Sequence, residues 1–83
     1  MYGLTAALHG KVDFENGVVK QTNFNDYPIL RMDAAPVVET VIVDSDEAPA
    51  GVGETTLANV APAVANGVFA ATGKRLRELP LQV

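Results

Sequence analysis

The chain has no cysteine, no tryptophan and one histidine, His9, among its 83 residues. Each absence removes a class of answer. Without cysteine there is no disulfide to staple a small domain, and a single histidine cannot anchor a Cys/His metal site. Neither a Ser/His/Asp nor a Cys/His nucleophilic centre can be assembled from this set. Basic residues are also few. Six Lys and Arg against ten Asp and Glu give a formal net charge of −4, and the cations form no dominant stripe, which argues against nucleic-acid or anionic-membrane binding. No run approaches the ~20 apolar residues of a membrane span, and the N-terminus lacks the basic-then-apolar pattern of a signal peptide. The composition leaves the compartment open between cytoplasm and periplasm.

What is present is apolar and small. The hydrophobic content is 48% with only 6% aromatic residues, too apolar for a disordered tail and poor in large core anchors. A chain of this size buries only ~60% of its unfolded surface, so support from another chain or from further copies of itself is expected. Tyr2–Leu8 reads as the end of an apolar helix closing at His9-Gly10, a pattern suggesting that an earlier part of the helix is missing. Asn16-Gly17 sits between two alternating arms, 11–15 and 18–23, and predicts a β-hairpin with a type I′ turn. Pro28 and Pro36 punctuate an irregular stretch. Val37–Val43, VVETVIV, is dense in β-branched residues and predicts a strand buried on both faces.

From Leu57 the period changes. Leu57, Val60, Ala61, Val64, Ala65, Val68 and Phe69 recur at helical spacing, with Pro62 either in the first turn or at a kink and Gly73 as C-cap. The expected fold class is α+β: a β-hairpin plus a further strand packed with a C-terminal helix.

Four features carry candidate chemistry. Gly51-Val52-Gly53-Glu54 is a glycine-bearing loop just before a helix, where backbone can pass close to a ligand and a carboxylate can be held beside it; a solvated loop carboxylate is the plain alternative. Lys74, Arg75 and Arg77 could clamp a phosphate, although compensation of the helix dipole explains them more simply. Asp44, Asp46 and Glu47 lack the spacing of a calcium loop and read as a solvated turn. His9 reads as structural.

Two long blocks, YGLTAALHGKVDFENGVVKQTNFNDYPILRM at 2–32 and APAGVGETTLANVAPAVANGVFAATGKRLRELPL at 48–81, give the whole a further meaning. In this order they resemble the C-terminal region of the large subunits of the xanthine dehydrogenase/aldehyde oxidase family, especially the isoquinoline 1-oxidoreductase type. The resemblance implies a single partial domain over 1–83, a fragment of a molybdopterin-binding domain. In that family the glutamate of this loop lies beside the molybdenum and is taken as the base that deprotonates the metal's hydroxyl ligand. Glu54 is the residue that matches, with Val52, Gly53 and Thr55 beside the pterin. Thr55-Thr56 departs from the Pro-Gly or similar pair that often follows the glutamate, and Gly67 stands where alanine is usual.

The resemblance further implies a molybdenum–pterin cytosine dinucleotide in the parent enzyme, with none bound by this chain alone. The implied partners are the remainder of the large subunit and an iron–sulfur small subunit. The implied reaction is hydroxylation of an N-heterocycle or an aldehyde with oxygen from water. Two other readings stand beside it: an inert remnant that self-associates as a homo-oligomer, and a small binding module that keeps a phosphate-binding loop at the helix start.

Overall fold

In the computed structural model, which describes residues 1–82, two helices and one hairpin account for nearly all the regular structure. Helix α1 spans Tyr2–His9 and helix α2 spans Leu57–Thr72; strands β1 (Phe14–Glu15) and β2 (Val18–Val19) pair antiparallel. The α+β class expected from the sequence holds.

Helix α1 ends at Gly10, whose N–H donates to the carbonyls of Thr5 and Ala6. Gly10 is not in the left-handed conformation. It is there for space: a Cβ would meet the Ala6 carbonyl oxygen at 2.8 Å. Helix α2 ends as its sequence predicts, with Gly73 at φ 72° and its N–H donating to the Phe69 carbonyl at 2.7 Å. Pro62 lies in the second turn, not the first, and α2 continues through it. The missing N–H leaves the Ala58 carbonyl without its helical donor. Pro62 and Ala58 are both exposed, so water can reach that carbonyl.

The hairpin turns on Asn16 (φ 52°) and Gly17 (φ 79°), as a type I′ turn requires, in the register Phe14↔Val19 and Glu15↔Val18. Its arms are shorter than the predicted 11–15 and 18–23. Beyond the donation from Lys20 N–H to the Asp13 carbonyl (2.8 Å), side chains replace the ladder. The Gln21 side-chain oxygen accepts from Asp13 N–H at 2.8 Å, and the Asp26 carboxylate accepts from the N–H groups of Thr22 and Asn23 at 2.9–3.0 Å. The backbone that would extend the second arm is thus turned into a carboxylate-capped loop.

The two helices pack on each other at their N-terminal ends. A Cβ on Gly3 would lie 2.8 Å from Val60 Cγ2 and 3.0 Å from Leu57 Cδ1, so glycine sets the approach of α1 to α2. The C-terminal tail returns to close this unit, with Leu81 N–H donating to the Ala7 carbonyl at 2.7 Å. Among the described residues, Ala7 and Leu81 are the buried hydrophobic ones. The Thr5 hydroxyl accepts from Leu30 N–H at 3.2 Å and ties the irregular stretch to α1. The predicted apolar stripe of α2 is the face turned inward, but Val60, Ala61, Val64, Ala65, Val68 and Phe69 are only half-buried.

The strand expected at Val37–Val43 is not formed. The segment is extended and fully exposed, with Val37 at 92% and Val41 at 87% exposure, and it has no ladder partner among the described residues. A strand needs a neighbour for its N–H and C=O groups, and β1 and β2 pair only with each other among the described residues.

Size measures the consequence. The radius of gyration is 16.3 Å, where a compact chain of this length has ~12 Å. The accessible surface is 7378 Å², against ~4,700 Å² for a folded monomer of 8.7 kDa. The chain alone therefore buries too little surface to stabilise all of its parts.

Candidate functional site

The Gly51–Thr56 loop joins the exposed middle segment to the first turn of α2. Its local order comes from the backbone. Leu57 N–H donates to the Glu54 carbonyl at 3.0 Å, Asn59 N–H to the Thr56 carbonyl at 3.2 Å, and the Thr55 hydroxyl to the Val52 carbonyl at 3.3 Å. Thr56 occupies the N-cap position of α2 but makes no side-chain capping bond. The chain thus turns into the helix over residues 53–56, with Glu54 exposed within the turn.

Glu54 and its predicted companions Val52, Gly53 and Thr55 lie together on this loop and are all exposed. Neither Gly51 nor Gly53 has a neighbouring atom within 4 Å of the place a Cβ would occupy. Nothing among the described residues needs glycine there. This open backbone leaves room for a flat, polar group or another polypeptide against it, but the loop encloses no site by itself. No group of three His, Cys, Asp or Glu placed to hold a metal ion occurs among the described residues.

The other candidates separate. Asp44, Asp46 and Glu47 are exposed, and Glu47 N–H donates to the Ser45 hydroxyl at 3.2 Å, which fits a solvated turn. His9 sits half-buried in the last turn of α1. Lys74, Arg75 and Arg77 follow α2 directly, where cations meet its C-terminal dipole. Arg75 and Arg77 line an open cleft of about 520 Å³ with Lys11, a residue more than sixty positions away that sequence spacing could not connect to them. Two of its cations already have partners: Arg75 stacks 3.4 Å over the Phe69 ring and Lys11 pairs with Asp13 at 3.0 Å. Glu78 lines the same cleft, which further weakens it as an anion site.

Two carboxyls are held below the ordinary Asp value of 3.8 by hydrogen bonds. For Asp13 the main cause is the Lys11 ammonium, followed by the Gln21 amide. For Asp26 it is the backbone N–H of Asn23, then that of Thr22. Both groups serve the hairpin and its following turn, far in sequence from the Glu54 loop.

Sequence comparison supplies the context that geometry leaves open. The chain is 41% identical over 80 residues to the beta subunit of isoquinoline 1-oxidoreductase from Brevundimonas diminuta, a match spanning 96% of this chain and 10% of that protein. It is 34% identical over 82 residues to a membrane-bound aldehyde dehydrogenase of Gluconacetobacter polyoxogenes, covering 99% of this chain and 11% of the relative, whose name specifies pyrroloquinoline quinone. A nicotinate dehydrogenase subunit of Pseudomonas putida is 37% identical over 75 residues, which is 89% of this chain and 6% of that protein. No family model matches the chain, and no solved structure is significantly similar to it. The chain spans about a tenth of the length of the curated relatives it matches. By sequence it is similar to a short segment of the molybdopterin-binding large subunits of the xanthine dehydrogenase/aldehyde oxidase family.

Proposed function

We propose that residues 1–83 form one partial domain from the C-terminal region of a molybdenum hydroxylase, and that this domain supplies Glu54 to a cofactor site completed by other segments. The observation that carries the reading is a coincidence of two features. Homology to oxidoreductase subunits runs through almost the whole chain, and the two glycines of the loop bearing Glu54 have neither a neighbour within 4 Å nor a left-handed φ that would call for glycine. The bound group is a molybdenum–pterin cytosine dinucleotide, which supplies the centre that accepts two electrons from the substrate. The substrate is an N-heterocycle or an aldehyde, consistent with the names of the relatives.

The chain's own contribution is positional and acid–base. The backbone of Val52, Gly53 and Thr55 would hold the pterin, with Glu54 supplied from the same loop. The Glu54 carboxylate accepts the proton of the water-derived oxygen that is added to the substrate carbon, a step in which a placed base contributes ~10²–10⁴-fold. Water is excluded only when the rest of the large subunit covers the loop, since Glu54 is exposed in this chain alone. An iron–sulfur small subunit carries the electrons away.

The test is a complex purified through this chain, in which metal and rate are measured separately. Stoichiometric molybdenum is expected, and Glu54→Gln should lower kcat at least 100-fold with molybdenum retained. An unchanged kcat removes Glu54 from the chemistry. A complex that holds quinone and no molybdenum overturns the cofactor assignment. A metal-free homo-oligomer favours the inert remnant.

A further inference from the structure

Between Arg31 and Lys74 the chain has no Lys or Arg, yet it holds six of the ten carboxylates: Asp33, Glu39, Asp44, Asp46, Glu47 and Glu54. Embedded in this acidic stretch is the exposed, unpaired segment Val37–Val43. Its side chains alternate in an extended backbone. Val37, Glu39, Val41 and Val43 fall on one face, Val38, Thr40 and Ile42 on the other. Each face is apolar with one polar member, the pattern of a strand covered on both sides. The segment has the length of an ordinary strand and lacks only a neighbour.

A second copy of the chain makes a poor neighbour. Paired in parallel and in register, Glu39, Asp44, Asp46 and Glu47 would each face their own counterpart at the ~5 Å spacing of a sheet. Paired antiparallel about Thr40, Glu47 of each copy would oppose Asp33 of the other. Either way the ribbon gathers carboxylates from both copies with no cation among them. Like charges directly opposite one another destabilise a ladder, and unpaired edges are commonly protected by such charges.

We propose that Val37–Val43 is a sheet-completing strand that pairs with an edge in the remainder of the parental large subunit, an edge bordered by Lys or Arg, and that its acidic flanks keep it from pairing with its own copies. The identity of the partner rests on the functional reading above; the charge pattern does not. Cations beside the receiving edge fix register and exclude the homotypic ladder. The same acidic flanks hold the segment open until that edge is present.

Two experiments test this. In the first, sedimentation of the chain alone at 0.15 M salt should give a monomer with fast-exchanging amides at 37–43. Replacing Glu39, Asp44, Asp46 and Glu47 by their amides should produce a self-associated species with those amides protected. Association of the unaltered chain through 37–43, or continued monomer after neutralisation, overturns the charge argument. In the second, the chain is co-expressed with the Brevundimonas diminuta relative lacking its homologous ~80 residues. Amides 38–43 should be protected at least 100-fold in the resulting complex and exposed again in Val41→Pro, which removes a ladder donor. A complex in which 38–43 remains unprotected, or no complex at all, overturns the pairing. Molybdenum is quantified in the same sample: protection without molybdenum keeps the strand and removes the cofactor assignment, and molybdenum without protection does the reverse.

Discussion

The two ends of the chain and its middle follow opposite rules. At the ends, α1, α2 and the returning tail form a clasp in which Gly3 lets the helices meet and Leu81 is buried against α1. In the middle, residues 36–56 contain a strand-forming sequence and the candidate catalytic loop, and every one of them is exposed. Ends and middle are both apolar, so hydrophobicity does not separate them. Partners do. The clasp finds its partners within the chain, whereas the middle has no strand partner among the described residues. Structure and candidate function are thus assigned to different regions, with the clasp serving as the frame from which the middle projects.

The largest expected effect comes from breaking the clasp. Gly3→Val adds atoms where a Cβ alone would stand 2.8 Å from Val60, and overpacking of this kind costs ~1–3 kcal/mol. Loss of far-UV helical signal at a lower urea concentration checks it, and an unchanged midpoint would show that the helices slide apart freely.

A smaller, local effect is expected from acid. Asp13 and Asp26 have folded-state values depressed below 3.8, so the stability they add is fully present above that value and is lost as pH falls through the depressed ones. Below pH 3.8, amide protection of residues 13 to 27 should fade before that of α2. Simultaneous loss in both regions would mean that hairpin and clasp unfold as one. The smallest effect belongs to the middle. Ile42→Ser, at a residue 85% exposed, should leave the stability of the isolated chain within ~0.5 kcal/mol of its starting value. A larger loss would show that the middle packs within the chain after all.

Much of this was readable in the sequence where the causes are local. Asn16-Gly17 determines its own turn, Gly73 its own cap, and the 3.6-residue spacing from Leu57 its own inward face. Val37–Val43 states its preference equally clearly, but a ladder requires a second strand, and none is supplied. The short hairpin arms escaped the reading because the Asp26 carboxylate captures the N–H groups of Thr22 and Asn23, a competition that alternation does not reveal. The meeting of Gly3 with Val60 and of Leu81 with Ala7 depends on distant segments and leaves no mark in any window of sequence. At the candidate site, the loop's place before α2 was legible from its glycines and the helical period. The role proposed for Glu54 comes from resemblance, since one exposed carboxylate on an open loop carries no signature of its own.

The hydrogen bond from Leu81 to Ala7 also has a meaning in time. A growing chain emerges from the ribosome N-terminus first, so α1 is complete long before its covering tail has been made. At ~5–20 residues per second, the ~70 residues between them take roughly 4–14 seconds to synthesise. Until α2 and then the tail are made, the inner face of α1 is bare, and only chaperones or neighbouring segments can shield it. Synthesis rate and chaperone supply therefore bear directly on whether this chain reaches its folded form or aggregates first.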